Sequence, residues 1–79
     1  MNNIVVIIPA YNEEKSIGNV ITELKHSAYN NIIVVDDGSK DNTTKIATDA
    51  GAKVITHFVN RGQGAALRTG TEYALSHGA

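Results

Sequence analysis

Two continuous apolar runs without polar alternation, Ile4 to Ile8 and Ile32 to Val35, set the frame of this chain. Unbroken runs rich in β-branched residues are the pattern of parallel strands covered on both faces. Between them Ile17, Val20, Ile21 and Leu24 recur at helical spacing, which predicts one apolar stripe on a helix from about Glu14 to Lys25. A short third strand is expected at Lys53 to Thr56, preceded by a helix from Asp41 to Ala50. Ser39 or Asp41 can cap that helix at its start, and Gly51 can take a left-handed backbone at its close.

A third helix is expected from Gln63 to Ser76, where Ala66, Gly70 and Ala74 form a stripe of small residues that lets it lie close against the sheet. The order is therefore β-α-β-α-β-α. Such alternation implies right-handed crossovers and a parallel three-stranded sheet, in a three-layer α/β/α arrangement that makes one half of a nucleotide-binding fold. No repeat, linker or low-complexity tract interrupts it, so residues 1–79 form one domain.

Both apolar runs end in polar turns. Asp36-Asp37-Gly38-Ser39 follows the second, and Pro9-Ala10-Tyr11-Asn12-Glu13-Glu14 follows the first. Adjacent carboxylates at the end of a buried strand are poorly placed for stability, since repulsion raises one pKa unless donors or a cation are near. They are well placed at the crevice beyond the carboxyl ends of the strands, where open α/β sheets bind ligands. Asp36 can hold the following turn. Pro9, which has no N–H, is expected to end the first strand and set up an extended turn. Tyr11 offers a flat face, while Asn12 and Glu14 are read as a cap and a dipole complement of the first helix.

The third polar segment, Asn60-Arg61-Gly62-Gln63-Gly64, precedes a helix whose positive end favours an anion, and its glycines remove side chains that would block close approach. Arg61 or Arg68 can meet a diphosphate. No Gly-Lys-Ser/Thr follows, and Leu67 stands where a dinucleotide fingerprint has its third glycine, so both of those phosphate motifs are excluded. A Rossmann-type dinucleotide binder would also need a glycine-rich first turn where Pro9 to Glu13 stands.

Charge and composition narrow the partners. Seven Lys and Arg against eight Asp and Glu give a net charge of −1, which supplies no broad basic field for nucleic acid or anionic lipid. Any phosphate recognition must be local. With no cysteine there is neither a disulfide framework nor a thiolate metal site. His26, His57 and His77 show no metal-ligand spacing and are expected to face solvent. The longest apolar run is far below the roughly 20 residues that cross a bilayer, and no signal-peptide pattern opens the chain, which predicts a soluble cytoplasmic domain without a transmembrane segment.

In their order and at their strand ends, the three segments closely resemble the family 2 glycosyltransferases, especially the dolichol- or polyprenyl-phosphate sugar transferases. That resemblance implies the N-terminal half of a GT-A fold with strand order 3-2-1. It implies a UDP- or GDP-sugar donor, an inverting displacement, and a polyprenyl phosphate or glycan acceptor. Pro9, Tyr11 and Glu13 would line the nucleoside pocket, Asp37 would accept the imino N–H of the base, and Val35 would contribute backbone contact. Arg61 and Gly62 would lie on the loop facing the donor.

The family's Mg2+ or Mn2+ is held by an Asp-x-Asp strand that this sequence lacks. No catalytic residue or metal ligand is therefore assigned to the chain, which is expected to be the donor-binding part of such a transferase and inactive by itself; the alternative is a truncated domain that binds nucleotide weakly or only self-associates. A longer parent protein would sit at the cytoplasmic face of the membrane. The first strand would lie at the open edge of the sheet, which predicts a homo-oligomer through that edge.

Overall fold

A computed structural model describes residues 4–77. Three parallel strands, β1 (Val6–Ala10), β2 (Ile32–Asp36) and β3 (Lys53–Thr56), alternate with three helices, α1 (Ile17–His26), α2 (Thr43–Asp49) and α3 (Gln63–Ser76). β2 is central, with Val6 paired to Ile32 on one side and Ile33 to Lys53 on the other. The expected order of strands is the one observed.

Side chains alternate across a strand, so the four buried apolar residues of β2 divide between two cores. Ile32 and Val34 pack with Ile17, Ile21 and Ala47 beneath α1 and α2. Ile33 and Val35 pack with Ala66 and Ala74 beneath α3. The small-residue stripe of α3 is fully used: a Cβ on Gly70 would come 2.4 Å from Ile7 Cγ2 and 3.2 Å from Val35 Cγ2. The helix axis can lie this close to the sheet because residue 70 has no side chain.

Both helices on the opposite face end in the same way. Gly51 (φ +101°) follows α2, with Gly51 N–H donating to Thr48 O and Ala52 N–H to Ala47 O. Ala28 (φ +72°) follows α1, with Ala28 N–H donating to Lys25 O and Tyr29 N–H to Leu24 O. These paired bonds are the Schellman ending, which satisfies the last carbonyls of a helix.

The strand boundary at Pro9 differs from expectation. β1 runs on through Pro9 to Ala10 and does not stop before them. Val6 N–H donates to Asn31 O and Ala10 O accepts from Asp37 N–H, so even-numbered residues of β1 face β2. Pro9 therefore turns its missing donor to the open edge, where a strand tolerates it. α1 begins at Ile17, later than the hydrophobic spacing suggests, because Glu13 O accepts Ser16 and Ile17 N–H and holds residues 13–16 in a turn.

Candidate functional site at the carboxyl ends of the strands

The loops after β1 and β2 are laced together. Asn12 N–H donates to Ser39 Oγ (2.8 Å) and Lys40 N–H donates to Asn12 Oδ1 (2.9 Å). Glu13 N–H donates to Thr43 Oγ1 (2.8 Å), and Asn42 N–H donates to Glu14 Oε1 (3.0 Å). Asn12 and Glu14 thus join the second loop and do not serve α1, in contrast to the sequence reading. Asn12 adopts φ +54°, a left-handed geometry that Asn tolerates better than most residues. At the start of α2, Asp41 Oδ1 accepts Thr43 N–H, whereas Ser39 is engaged by Asn12.

Adjacent Asp36 and Asp37 separate because they follow the alternation of β2. Asp36 continues the Ile32–Val34 side: its Oδ1 accepts Ser39 N–H (2.8 Å) and its Oδ2 accepts the Thr44 hydroxyl. It holds its own turn and ties it to α2. Asp37 continues the Ile33–Val35 side and binds the loop after β3. Its Oδ1 meets His57 Nδ1 (2.8 Å) and accepts Arg61 N–H (2.9 Å), while Oδ2 accepts Gly62 N–H (2.7 Å). The His57 hydrogen bond, opposed by burial and reinforced by the two backbone donors and the nearby imidazole, holds the Asp37 carboxyl below the usual carboxylate range.

His57 is only 8% exposed, with Nε2 2.8 Å from Thr69 Oγ1, which corrects the expectation that it faces solvent. His26 and His77 are exposed, as expected. Sequence spacing gave no signal for His57, because its partners lie 20 residues before and 12 residues after it. Gly38 completes the joint: at φ +83° it lies against Val59 and Asn60, so near that a Cβ would be 2.9 Å from Asn60 N. Gly62 sits at φ +96°, ψ 161°, a region populated essentially by glycine, and directs its N–H at Asp37 as α3 begins.

Pro9, Tyr11, Glu13, Asp37 and Gly62 line one crevice of about 220 Å³, together with Asn60, Gln63 and Ala66. Tyr11 is 44% exposed at its mouth. Gly62 and Gln63 bring the first turn of α3 to the wall, where helix N–H groups have no intrahelical acceptors. Two expected residues stand apart. Val35, expected to contribute only a backbone contact, is outside the lining, with its side chain fully buried beneath α3. The Arg61 side chain is exposed and outside the lining, and its backbone N–H is the group that binds Asp37.

A larger hollow of about 380 Å³ lies at the other end of the sheet, among Asn30, Asn31, Lys53, Tyr73 and His77. None of the three polar segments reaches it, and it lies at the amino ends of the strands. The smaller crevice is therefore the candidate site. Among the described residues no helix is long and apolar enough to cross a membrane.

Residues 5–77 match the family model of glycosyl transferase family 2. The chain is 45% identical to a UDP-N-acetylglucosamine–dolichyl-phosphate N-acetylglucosaminyltransferase of Methanococcus voltae, over 96% of this chain and 37% of that protein. It is 39% identical to a human (Homo sapiens) dolichyl-phosphate beta-glucosyltransferase, over 82% of this chain and 25% of that protein. Among solved structures, glucosyl-3-phosphoglycerate synthase from Mycobacterium tuberculosis in complex with Mg2+ and uridine-diphosphate superposes with a TM-score of 0.69. The two are 34% identical, with 80% of this chain and 26% of that one covered. The chain thus spans roughly a quarter to a little over a third of the length of these relatives.

Proposed function

The chain belongs to glycosyl transferase family 2, a glycosyltransferase family whose GT-A α/β/α arrangement it carries, and from that premise we propose that its crevice binds the nucleotide of a UDP- or GDP-linked sugar donor. The observation that carries this reading is convergence. Three separate loops bring Tyr11, Glu13, Asp37 and the start of α3 to one opening at the carboxyl ends of parallel strands. Tyr11 supplies a face for the base, the carboxylates supply acceptors for base or ribose, and the N-terminal turn of α3 favours the diphosphate. In a longer protein this portion would hold the donor while a polyprenyl phosphate or glycan acceptor attacks the anomeric carbon, breaking its bond to the diphosphate oxygen and releasing UDP or GDP.

Divalent metal is supported for the family by the Mg2+ in the mycobacterial synthase complex. Among the described residues no three His, Cys, Asp or Glu side chains are grouped to hold a metal ion, and both oxygens of Asp36 and of Asp37 already meet protein donors. These residues do not fit a cation.

Gly64→Ala tests the diphosphate end. A Cβ there meets nothing within 4 Å, and alanine is the better helix former by roughly 1 kcal/mol. The substitution is expected to raise the urea midpoint while weakening UDP or GDP binding at least threefold. Unchanged affinity in the stabilised variant would remove the α3 N-terminus from the donor site.

We further propose that two copies associate through β1, which has a single strand partner among the described residues. A two-fold pair would join two three-stranded sheets into one of about six strands. Pro9 keeps that ladder short, because Ile7 is the only residue of β1 that turns an N–H to the open edge. Light scattering is expected to show a dimer at high concentration that dissociates on dilution; a monomer throughout would exclude it.

A further inference from the structure

Asp37 and the loop it holds depend on a buried group behind them. An ionised carboxylate only accepts hydrogen bonds, so the His57 nitrogen 2.8 Å from Asp37 Oδ1 carries a hydrogen. The other ring nitrogen, Nε2, lies 2.8 Å from the Thr69 hydroxyl, a group that can donate to it or accept from it. The imidazole is thus fixed at both ends, between the end of β2 and the second turn of α3. Oδ1 of Asp37 receives two donors, His57 and the Arg61 N–H, whereas Oδ2 receives only Gly62 N–H. A carboxylate oxygen has two acceptor directions, so the one left over belongs to Oδ2, on a residue that lines the crevice.

The terminal torsion of an aspartate is broad, and a carboxylate held only at its front by backbone donors can turn. We propose that His57 is a positioning residue for nucleotide: by holding Oδ1 from behind, with Thr69 bracing the ring, it leaves the free acceptor of Asp37 Oδ2 aimed into the crevice and seats the Arg61–Gly62 backbone that forms the crevice wall. This inference rests on the crevice binding nucleotide, and it assigns that binding a residue that no nucleotide touches. The base recognised is one that offers an N–H to an anionic acceptor, as uracil and guanine do.

Two polar replacements divide the ring's functions. His57→Asn keeps a donor near the Nδ1 position and loses Thr69; His57→Gln keeps a group near the Nε2 position and loses Asp37. UDP and GDP titrations of both variants are expected to leave His57→Asn within about threefold of the parent and to weaken His57→Gln at least tenfold. A purely structural histidine would lower the stability of both and leave their affinities equal, and that result would overturn the proposal. Ring 15N spectra of the parent give a second readout, with Nδ1 expected to be protonated; a bare Nδ1 would also overturn it. If the parent itself binds neither nucleotide, the donor-site reading fails separately. Amide exchange then decides the positioning claim: Arg61 and Gly62 should lose protection in His57→Gln and keep it in His57→Asn, and equal protection in the two variants would refute it.

Discussion

Gly38→Ala is expected to remove a large share of the stability of this chain. The residue holds φ +83°, and a left-handed backbone costs a residue with a Cβ about 1–2 kcal/mol. The new methyl would also lie 2.9 Å from Asn60 N and 3.1 Å from Val59 C, which are backbone atoms that cannot swing aside. Moving that loop adds about 1–3 kcal/mol, the usual scale of overpacking. At roughly 0.05–0.15 kcal/mol per residue, a chain of this length has on the order of 4–12 kcal/mol in total. Urea unfolding followed by circular dichroism should therefore show a much lower midpoint, or no folded baseline. A midpoint equal to that of the parent would mean that the loop after β3 is not seated on Gly38.

Asp37→Asn is the second large effect, and it carries a pH signature. An amide has one acceptor oxygen, so whichever way the new side chain turns, its NH2 faces His57 and Arg61 or faces Gly62, donor against donor. The melting temperature at pH 7 is expected to fall by on the order of 10 °C. Because the folded-state pKa of Asp37 lies below its ordinary value of 3.8, the carboxylate contributes stability above that value and loses it as pH falls through the folded-state pKa. The parent and variant should thus differ most near neutrality and converge below about pH 4. A gap that stays constant from pH 7 to pH 3 would show that the charge on Asp37 is not what holds the loop.

The elements that were legible in the sequence are those that local pattern determines. Ile32 to Val35 reads as a strand covered on both faces because it is one, and Ala66, Gly70 and Ala74 read as a close-packed stripe because nothing larger fits against Ile7 and Val35. Gly51 ends α2 as its backbone freedom suggests. The strand ends and the site were legible as positions and less so as partners. Pro9 looks like a terminator until the sheet places it on the open edge, a property of topology that no local window contains. Asn12 and Glu14 have the composition of a helix cap, yet donors some 28 residues away claim them. His57 carries no local signal for the same reason: Asp37 and Thr69 meet it only after β3 and α3 have packed. The Asp36-Asp37 pair, which read as a repulsive cluster, is relieved by the strand period that sends the two side chains to opposite faces.

If the opening between Tyr11, Glu13, Asp37 and Gly62 receives a nucleotide, an amide NMR titration of the 79-residue chain with UDP and GDP will show it residue by residue. Shift changes are expected to cluster at Tyr11, Glu13, Asp37, Gly62 and Gln63 and to saturate in the millimolar range. Changes confined to Asn30, Lys53 and Tyr73 at the far end of the sheet, or none with either nucleotide, would mean that this opening is not a nucleotide site.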